Sequence, residues 1–546
     1  MREAAEREPG GGAMPAIVDP VTGLEFYDMS HPWGYYTPIW PGYEDLKVER
    51  GSYHAKYGAM AQRITAVMHT STHANAPIHL VPGGAGIGEL PLDRFFGNGV
   101  VLSVPKRKWE LIAAEELAAT RPAIQPGDIV IVATGWHKRY SDSKDYFGYA
   151  PGLSREAAEW LAAKRVKLFG IDTGAIDHPL ATSLGPHRNG PQIKDLASEY
   201  KKATGRNAAQ DFPDWNPAHK ALLRAGIPTV ENVGGDVAEI AGSRCTIHAC
   251  PWRWTEGDAC VIRLVAIRDP RGTYRLAQDT NTTGADGLRF FDLSHRWGAS
   301  MPRWPGGGAT AGLPRVELIE FHAKHGVLTH RLEFHMHRGT HMDAPIHVLE
   351  NTPTIIGYDM WRFFGTGVAV SIPKGKWQVI TPDDLEKATP KIQPNDVVMI
   401  NTGSHRQWGD NDDYFAYSPG LYKEAAEWLV EKKVKMVGVD VQALDHPMGT
   451  YMIAHGSGPT VPHLSEEYKA ATGRDPLEDF PLWEPAHKIL MSNGIPGIEN
   501  VGGDLDQVTG NRCTFMAFTW RWPQGDGCSL RVVAVVDPAQ RFRIGG

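Results

Sequence analysis

Ligand-type side chains are concentrated in one eleven-residue segment, which reads His337-Arg-Gly-Thr-His341-Met-Asp343-Ala-Pro-Ile-His347. This mixture of imidazoles and a carboxylate suits Zn²⁺, Mn²⁺ or Fe²⁺ better than Ca²⁺ or Mg²⁺. In an extended segment His341 and Asp343 project to the same side, and the proline of the motif excludes a regular helix. A lone histidine near a loop is usually a surface residue without a ligand role. Three histidines and an aspartate at this spacing predict a metal site instead.

A corresponding segment occurs 268 positions upstream and differs at four of its eleven positions. It reads His69-Thr-Ser71-Thr-His73-Ala-Asn75-Ala-Pro-Ile-His79, so that Asn75 replaces the aspartate and Ser71 replaces the glycine. A neutral amide is a weaker ligand for a transition metal, and it cannot bridge two cations as a carboxylate can. This first site therefore either holds one metal instead of two, binds substrate without turning it over, or is a second, differently tuned active site.

The segment is part of a duplication that runs along the whole chain. FYDMSHPWG at Phe26 returns as FFDLSHRWG at Phe290, and PAHK at Pro217 returns at Pro485. A period of 268 residues is too long for a solenoid repeat and indicates one duplicated domain. We predict a disordered tail, a first copy, a polar glycine-containing linker and a second copy, at residues 1–17, 18–278, 279–287 and 288–546.

Strand and helix patterns alternate within each copy. Residues 100–105 and 128–135 are short β-rich runs, 155–165 has apolar residues at helical spacing, and 260–267 alternates as a strand does. Each pattern recurs in the second copy. The sequence therefore predicts a mixed α/β domain, and it contains no dinucleotide, P-loop or serine-hydrolase signature.

Composition excludes several classes of protein. The 546 residues are 42% hydrophobic and carry a formal net charge of −7, without a long basic run, which argues against nucleic acid or a membrane surface as partner. No stretch reaches the roughly 18 apolar residues that span a bilayer. The five cysteines form no CxxC and are odd in number, so we expect reduced, structural thiols in a cytoplasmic protein.

The motif HxGTHxDxPxH resembles the signature of the cyclase-type metal-dependent hydrolase family, which includes bacterial kynurenine formamidase and isatin hydrolase. The DLS…WPG opening and the late H…EN pair resemble that family too, and the likeness covers nearly all of both halves. It implies the family's mixed α/β fold in tandem, as a pseudo-dimer. It also implies a divalent metal, Zn²⁺ or Mn²⁺, held by the first two histidines and the aspartate of the motif, a distant histidine, and a glutamate twelve residues after that histidine. The implied ligands are His337, His341, Asp343, His487 and Glu499 in the second copy, and His69, His73, Asn75, His219 and Glu231 in the first.

The resemblance also implies catalytic and substrate-binding roles. The last histidine of the motif, His347 or His79, would be the proton donor and acceptor at the reacting carbonyl, beside a metal that polarises the carbonyl and lowers the pKa of its water. Trp304 and Trp40 of the WPG segments would line the substrate pocket, although a core position is an equal alternative. The acidic residue that often follows WPG in the family is replaced by Tyr43 and Gly307.

These features predict hydrolysis of a C–N bond in an amide, formamide or small cyclic amide, with a flat or aromatic small molecule as substrate. Lactone hydrolysis, a dehydrating cyclase reaction and a non-enzymatic binding module remain alternatives. We expect the pseudo-dimeric chains to form a homo-oligomer.

Other polar residues have plainer interpretations. We expect Asp172, Asp177, Asp440 and Asp445 to bind loop backbone, and His178 and His446 to cap or pack. The long segments 186–215 and 456–483 are candidates for lids over the pocket or for packing between the copies.

Overall fold

The computed structural model describes residues 16–278, 287–305, 312 and 314–545. The predicted tail and linker lie almost wholly outside these residues, as does Gly307, and they stay predictions. The described strands of the first copy are β1 (Ile17–Val18), β2 (Glu25–Asp28), β3 (Lys47–Ser52), β4 (Ala61–Val67), β5 (His73–Asn75), β6 (Phe96–Ser103), β7 (Leu111–Ile112), β8 (Ile129–Ala133), β9 (Gly152–Leu153), β10 (Leu168–Ile171), β11 (Thr229–Glu231), β12 (Ser243–His248), β13 (Ala259–Val261) and β14 (Val265–Arg268).

The second copy repeats this order of strands from β2 onward. Its strands are β15 (Arg289–Asp292), β16 (Arg315–Glu320), β17 (Thr329–His335), β18 (His341–Asp343), β19 (Phe364–Ser371), β20 (Val379–Ile380), β21 (Val397–Asn401), β22 (Gly420–Leu421), β23 (Met436–Val439), β24 (Gly497–Glu499), β25 (Asn511–Met516), β26 (Gly527–Ser529) and β27 (Val533–Val536).

The helices follow the same two-fold repetition. They are α1 (His54–Tyr57), α2 (Ala114–Ala119), α3 (Lys144–Gly148), α4 (Arg155–Ala163), α5 (Leu196–Thr204), α6 (Ala208–Asp211), α7 (Pro217–Arg224) and α8 (Val237–Ile240), then α9 (His322–His325), α10 (Pro382–Lys387), α11 (Asp412–Phe415), α12 (Lys423–Glu431), α13 (Leu464–Thr472), α14 (Pro476–Asp479), α15 (Pro485–Ser492) and α16 (Leu505–Val508).

Each copy is built on one large mixed sheet. The strand order is β1-β2-β14-β12-β6-β8-β10-β11-β5-β13 in the first copy and β15-β27-β25-β19-β21-β23-β24-β18-β26 in the second. The central strands β6, β8, β10 and β11 run parallel, as do β19, β21, β23 and β24, and antiparallel strands flank them. The predicted mixed α/β fold and its tandem duplication are therefore confirmed.

The parallel strands are buried on both faces, because helices pack over one face and a second hydrophobic cluster covers the other. All five residues of β8 are buried, as two-sided burial of a parallel strand requires. Helix α4 begins where the Ser154 side chain accepts a hydrogen bond from the backbone N–H of Ala157, and it turns Ala157, Ala158 and Leu161 inward. These residues share a hydrophobic cluster with β8 and α7.

The alternating run at 260–267 is two strands, so the prediction of a single strand was wrong. β13 pairs with β5, whereas β14 pairs with β12 and β2 on the far side of the sheet. The residues between them include Arg263, whose guanidinium lies 2.8 Å from the Asp28 carboxylate in a buried ion pair. Periodicity cannot detect such a change of partner, because both halves of the run alternate alike.

The two copies join through a shared four-stranded sheet, β16-β17-β4-β3. Thr65 of β4 pairs with Glu333 of β17, its own counterpart in the other copy, so the pseudo-two-fold axis passes between them. Behind this sheet a single hydrophobic cluster spans both copies. Trp252 stacks on Trp297 with ring centroids 4.7 Å apart, which adds aromatic contact across the interface.

A buried ion pair also connects the copies. The Lys435 ammonium of the second copy lies 2.8 Å from the Asp19 carboxylate of the first, and both side chains are 1% exposed. All five cysteines are free and buried, in keeping with structural thiols. Within the described part of the chain, no helix combines the length and the apolar character needed to cross a membrane.

Candidate active sites

The motif of the second copy supplies strand β18 at one end of the large sheet. Antiparallel pairing with β24 sets His341 opposite Glu499 and Asp343 opposite Gly497. Because alternate residues of a strand point to the same face, His341 and Asp343 are presented together. The chain then turns through a short 3₁₀ segment, Pro345–His347, that begins with the motif proline.

The five ligands implied for the second copy converge in the structure. The His341 Nε2 lies 3.3 Å from the Asp343 Oδ1 and 3.4 Å from the Glu499 Oε2. The His487 Nε2 lies 2.9 Å from the Glu499 Oε1 and 3.3 Å from the Asp343 Oδ2. The His337 Nδ1 completes the cluster, 2.6 Å from the Asp343 Oδ1. Two overlapping groups of these atoms can each hold a metal ion: His337, His341 and Asp343 form one, and Asp343, His487 and Glu499 form the other.

Asp445 fixes the orientation of His487. Its carboxylate accepts hydrogen bonds from the backbone N–H groups of Ala486 and His487 at the start of α15, as loop binding predicts. It also accepts from the Nδ1–H of His487 over 2.6 Å, so the Nε2 faces the cluster. The purely structural interpretation of Asp445 was therefore too narrow.

Asp526 is a site residue that the sequence reasoning missed. Its Oδ2 lies 2.7 Å from the His337 Nε2 and accepts a hydrogen bond from the backbone N–H of Gln62 in the other copy. The sequence offered one indication of this residue: an aspartate after glycine occurs at corresponding positions of both copies, as GDG around Asp526 and GDA around Asp258. Asp526, His337 and His347 form a further group that can hold a metal ion.

Carboxylates dominate the electrostatics of the second site. Burial alone would lower the pKa of His337, but Asp526 and Asp343 outweigh it and raise the pKa to about 10. Hydrogen bonds to carboxylates likewise raise the pKa of His487 well above its ordinary value despite burial. Protonated His337 and His487 thus pair with the carboxylates of the site. A divalent cation bound by the same side chains would displace these protons.

His347 is held by the opposite copy. A carbonyl oxygen only accepts, so the Nδ1–H of His347 donates to the Met60 carbonyl over 2.6 Å. Burial, together with the nearby His337, lowers the pKa of His347 to about 3, which leaves the ring neutral. The Nε2 is then an unprotonated acceptor, and the ring lies against that of His337 with centroids 4.0 Å apart.

The first site assembles the corresponding residues with different bonds. The His73 Nε2 lies 3.1 Å from the Glu231 Oε2, but the His219 Nε2 is hydrogen-bonded to the Thr229 Oγ1 over 2.7 Å. Asn75 donates to the same hydroxyl over 3.3 Å. Thr229 stands at the position of Gly497 in the second copy. Its hydroxyl therefore binds the Nε2 of His219, whereas the Nε2 of His487 faces the carboxylates of Asp343 and Glu499.

His69 and His79 complete the first site. The His69 Nε2 lies 2.6 Å from the Asp258 Oδ2, while the His330 Nδ1 of the other copy lies 2.7 Å from the Asp258 Oδ1. His79 donates its Nδ1–H to the Leu328 carbonyl over 2.9 Å, as His347 does to Met60. His69, His79 and Asp258 form the group that can hold a metal ion here.

Each site opens into a cavity with walls from both copies. The cavity of the second site, about 420 Å³, lies within the usual range for small-molecule sites. It is lined by Trp304, and Ser52, Tyr57, Ala59 and Ala61 reach it from the first copy. The cavity of the first site is about 80 Å³, and it is lined by Trp40 together with Glu320, His325 and Val327 of the second copy.

Tyr43 also lines the smaller cavity, with its ring centroid 6.1 Å from that of His69. Both WPG tryptophans border cavities and also pack against hydrophobic clusters, so the two interpretations of these residues hold together. Trp40 donates its indole N–H to the Gln192 Oε1, whereas the Trp304 Nε1 is buried without a partner.

Two further cavity residues of the second site were missed from the sequence. Glu484 is the residue that precedes α15, its side chain makes no capping hydrogen bond, and it is 4% exposed. Burial raises its pKa to about 7. Gln442 is 2% exposed. Their counterparts in the first copy are Asn216 and Gly174, so the second site carries carboxylates at two positions, 343 and 484, where the first has amides.

The remaining predicted residues have structural contacts. Asp172 and Asp440 accept backbone N–H groups of the loops after β8 and β21. The ring nitrogens of His178 and His446 cap short 3₁₀ segments, and the two rings stack on phenylalanines.

The long segments border the cavities, and their role as lids stays a prediction. Residues of 186–215 and 456–483 line the two cavities. Asn189 also donates to the Glu320 carboxylate of the opposite copy, so the first of these segments packs between the copies as well.

Fold and site together define a duplicated α/β protein with two candidate metal centres, each completed by the opposite copy. The model of the Cyclase family, described as "Putative cyclase", matches residues 27–178 and 291–446, more than half of the chain in two segments. The chain belongs to this family, in two tandem copies.

Solved structures similar to this chain each match about one copy. Isatin hydrolase A from Labrenzia aggregata, bound to benzyl benzoate, is 23% identical, with 46% of this chain and 94% of that chain covered and a TM-score of 0.36. A predicted metal-dependent hydrolase from Bacillus stearothermophilus is 22% identical over 45% and 98%, with a TM-score of 0.33. Isatin hydrolase A from Ralstonia solanacearum is 21% identical over 46% and 92%, with a TM-score of 0.37.

Proposed function

We propose that the chain is a metal-dependent hydrolase whose second site cleaves a C–N bond of an amide, formamide or small cyclic amide. The observation that carries the proposal is the convergence of His337, His341, Asp343, His487 and Glu499 beside the neutral His347. Membership of the Cyclase family is consistent with it. The substrate, the metal and the C–N specificity are parts of this proposal.

The residues of the second site fit a divalent cation. The Asp343 Oδ2 is buried, and the 3.3 Å contact with the His487 Nε2 is its one ion-pair contact among the described residues, so a cation can bind lone pairs of this oxygen that are otherwise unused. Three imidazoles and two carboxylates suit Zn²⁺ or Mn²⁺. When bound, such an ion would polarise a substrate carbonyl and lower the pKa of a water molecule.

The chain's own residues would handle the proton and the substrate. The Nε2 of His347 is free to accept a proton and to pass it to the leaving nitrogen, because its Nδ1–H is committed to Met60. Trp304, Phe415, Tyr451 and Tyr57 give the cavity aromatic walls, which favour a flat or aromatic substrate.

We propose a lesser role for the first site. Asn75 removes a carboxylate, Thr229 occupies the His219 Nε2, and Tyr43 lines a cavity of only about 80 Å³. Weaker metal binding, with little or no turnover of the same substrate, follows from these differences. Assembly into a homo-oligomer and a cytoplasmic location stay predictions.

The test combines metal content with hydrolysis of a substrate panel. Elemental mass spectrometry on chain purified without chelator or nickel should find stoichiometric zinc or manganese. Formanilide and cyclic imides should be hydrolysed, and lactones should not. Asp343→Ala should lose both metal and activity, whereas His347→Ala should lose activity and keep the metal. A chain that stays metal-free after incubation with these ions would refute the proposal, and turnover of lactones alone would reassign the bond cleaved.

A further inference from the structure

The cavity of the second site contains a carboxylate that the proposed reaction does not use. Glu484 lines the cavity beside His487 and Glu499, and its Oε2 is buried without a hydrogen-bond partner. Its backbone has φ 47° and ψ 51°, a left-handed conformation that is unfavourable for glutamate. A buried, unpaired carboxylate on a strained backbone costs stability, and such costs are typical of binding residues.

A structural role for Glu484 finds no support in its surroundings. Lys488, one of its two cationic neighbours, donates to the Trp483 carbonyl over 2.8 Å and lies 4.0 Å from the centre of the Trp483 ring. His487, the other, donates to Asp445 and lies 2.9 Å from the Glu499 Oε1. The first copy forms the same helix start with Asn216 at φ 47°, and asparagine tolerates this conformation better. The local fold therefore does not require a carboxylate here.

Gln442 offers a complementary group in the same cavity. Its Oε1 accepts a hydrogen bond from the Ser418 hydroxyl over 2.5 Å, which fixes the orientation of the amide. The Nε2, a donor, is buried without a partner. Glycine stands at this position in the first copy, so the donor and the acceptor are both particular to the second site.

We propose that Glu484 is a specificity-determining residue that accepts a hydrogen bond from an amine, ammonium or hydroxyl group of the substrate. Gln442 donates to an oxygen of the same ligand. The substrate class is thereby narrowed to aromatic amides that carry a hydrogen-bond donor on the ring or its substituent. This inference rests on the proposed function of the second site. Glu484 is absent from the side-chain groups that can hold a metal ion among the described residues.

The experiment measures equilibrium binding with a matched pair of ligands, acetanilide and its meta-aminomethyl derivative. Calorimetry on chain dialysed against chelator reports binding in the absence of metal-dependent turnover. Wild-type protein should bind the aminomethyl compound about ten-fold more tightly or better, because hydrogen bonds to a charged group discriminate at this level. Glu484→Gln and Glu484→Asn should abolish the preference.

Matched variants separate recognition from folding. Glu484→Asn introduces the residue that the first copy already carries, and Glu478→Gln, at an exposed position on α14, should keep the preference. Gln442→Gly should weaken both ligands by a similar factor. Thermal unfolding of each variant identifies any that fail to fold.

Two outcomes would overturn the inference: equal affinity of the wild-type chain for the two ligands, or a preference that survives Glu484→Gln. The proposed function has its own outcome, because hydrolysis of formanilide by metal-loaded chain is measured separately. If the chain prefers the aminomethyl ligand but hydrolyses no amide, the role of Glu484 stands and the hydrolase proposal is refuted. If the chain hydrolyses formanilide but shows no ligand preference, the hydrolase proposal stands and the role of Glu484 is refuted.

Discussion

His347 and Met60 come from opposite copies of the duplicated domain, and the imidazole Nδ1–H of His347 donates to the carbonyl of Met60 over 2.6 Å. The same bond joins His79 to Leu328 on the other side of the pseudo-two-fold axis, over 2.9 Å. Each copy therefore sets the tautomer of the other's candidate catalytic histidine. A single copy would lack this bond and part of its cavity wall.

The first site should gain metal when its two departures are reversed together. We expect Asn75→Asp with Thr229→Gly to raise the metal content per chain, because the double change restores a carboxylate and frees the His219 Nε2. Asn75→Asp alone should gain less, since Thr229 still binds His219. Elemental analysis after incubation with zinc measures the gain. An unchanged metal content in the double variant would contradict this account of the first site.

Asp526→Ala should weaken metal binding at the second site by about 10- to 100-fold, because it removes the acceptor that orients His337. Competition with a chromophoric zinc chelator measures the affinity. Asp258→Ala is the matched control, since Asp258 makes the corresponding contact with His69 in the first site. Equal loss of second-site affinity in both variants would show a general effect on the interface instead.

His248→Met should make the fold more resistant to acid. Burial lowers the pKa of His248 from the 6.5 of an exposed histidine to about 3. The unfolded chain therefore binds the extra proton between pH 6.5 and 3, and stability present above pH 6.5 is lost as the pH falls through this window. Methionine, the residue at the corresponding position 516, removes this loss, which is about 1.4 kcal/mol per pH unit.

Urea unfolding at pH 7 and at pH 5 measures this effect. Relative to the wild type, the His248→Met variant should gain about 2 kcal/mol in unfolding free energy between the two pH values. His463→Met, at an exposed position, is the control for loss of a histidine. Parallel pH dependence in His248→Met and the wild type would show that His248 does not contribute.

Lys435→Met should destabilise the chain by about 3–5 kcal/mol, because it leaves the Asp19 carboxylate buried and unpaired. The double variant Lys435→Met/Asp19→Leu should recover most of this loss, since it removes both charges. Chemical denaturation of the three proteins gives the unfolding free energies. If the single and double variants were equally unstable, packing rather than the ion pair would explain the loss.

Several features of the fold and the site could be predicted from residue order. The duplication, the α4 helix and strand β8 followed from repetition and local residue patterns, because each depends on neighbours along the chain. The run at 260–267 could not be divided correctly, because the division depends on which distant strands accept its two parts. Asp526 escaped notice because an isolated aspartate in a glycine-containing turn carries no ligand pattern of its own.

The sequence by itself determined the mixed α/β class, the tandem copies and the family, together with an eleven-residue motif rich in ligand-type side chains. Only the tertiary structure decided that the Met60 carbonyl orients His347 and that the Thr229 hydroxyl binds the Nε2 of His219. It also decided that the Glu484 Oε2 lies without a hydrogen-bond partner in the larger cavity. Motifs depend on covalent spacing, which the sequence contains in full. Hydrogen bonds between residues hundreds of positions apart depend on how the two sheets and the two copies pack, which local patterns do not encode.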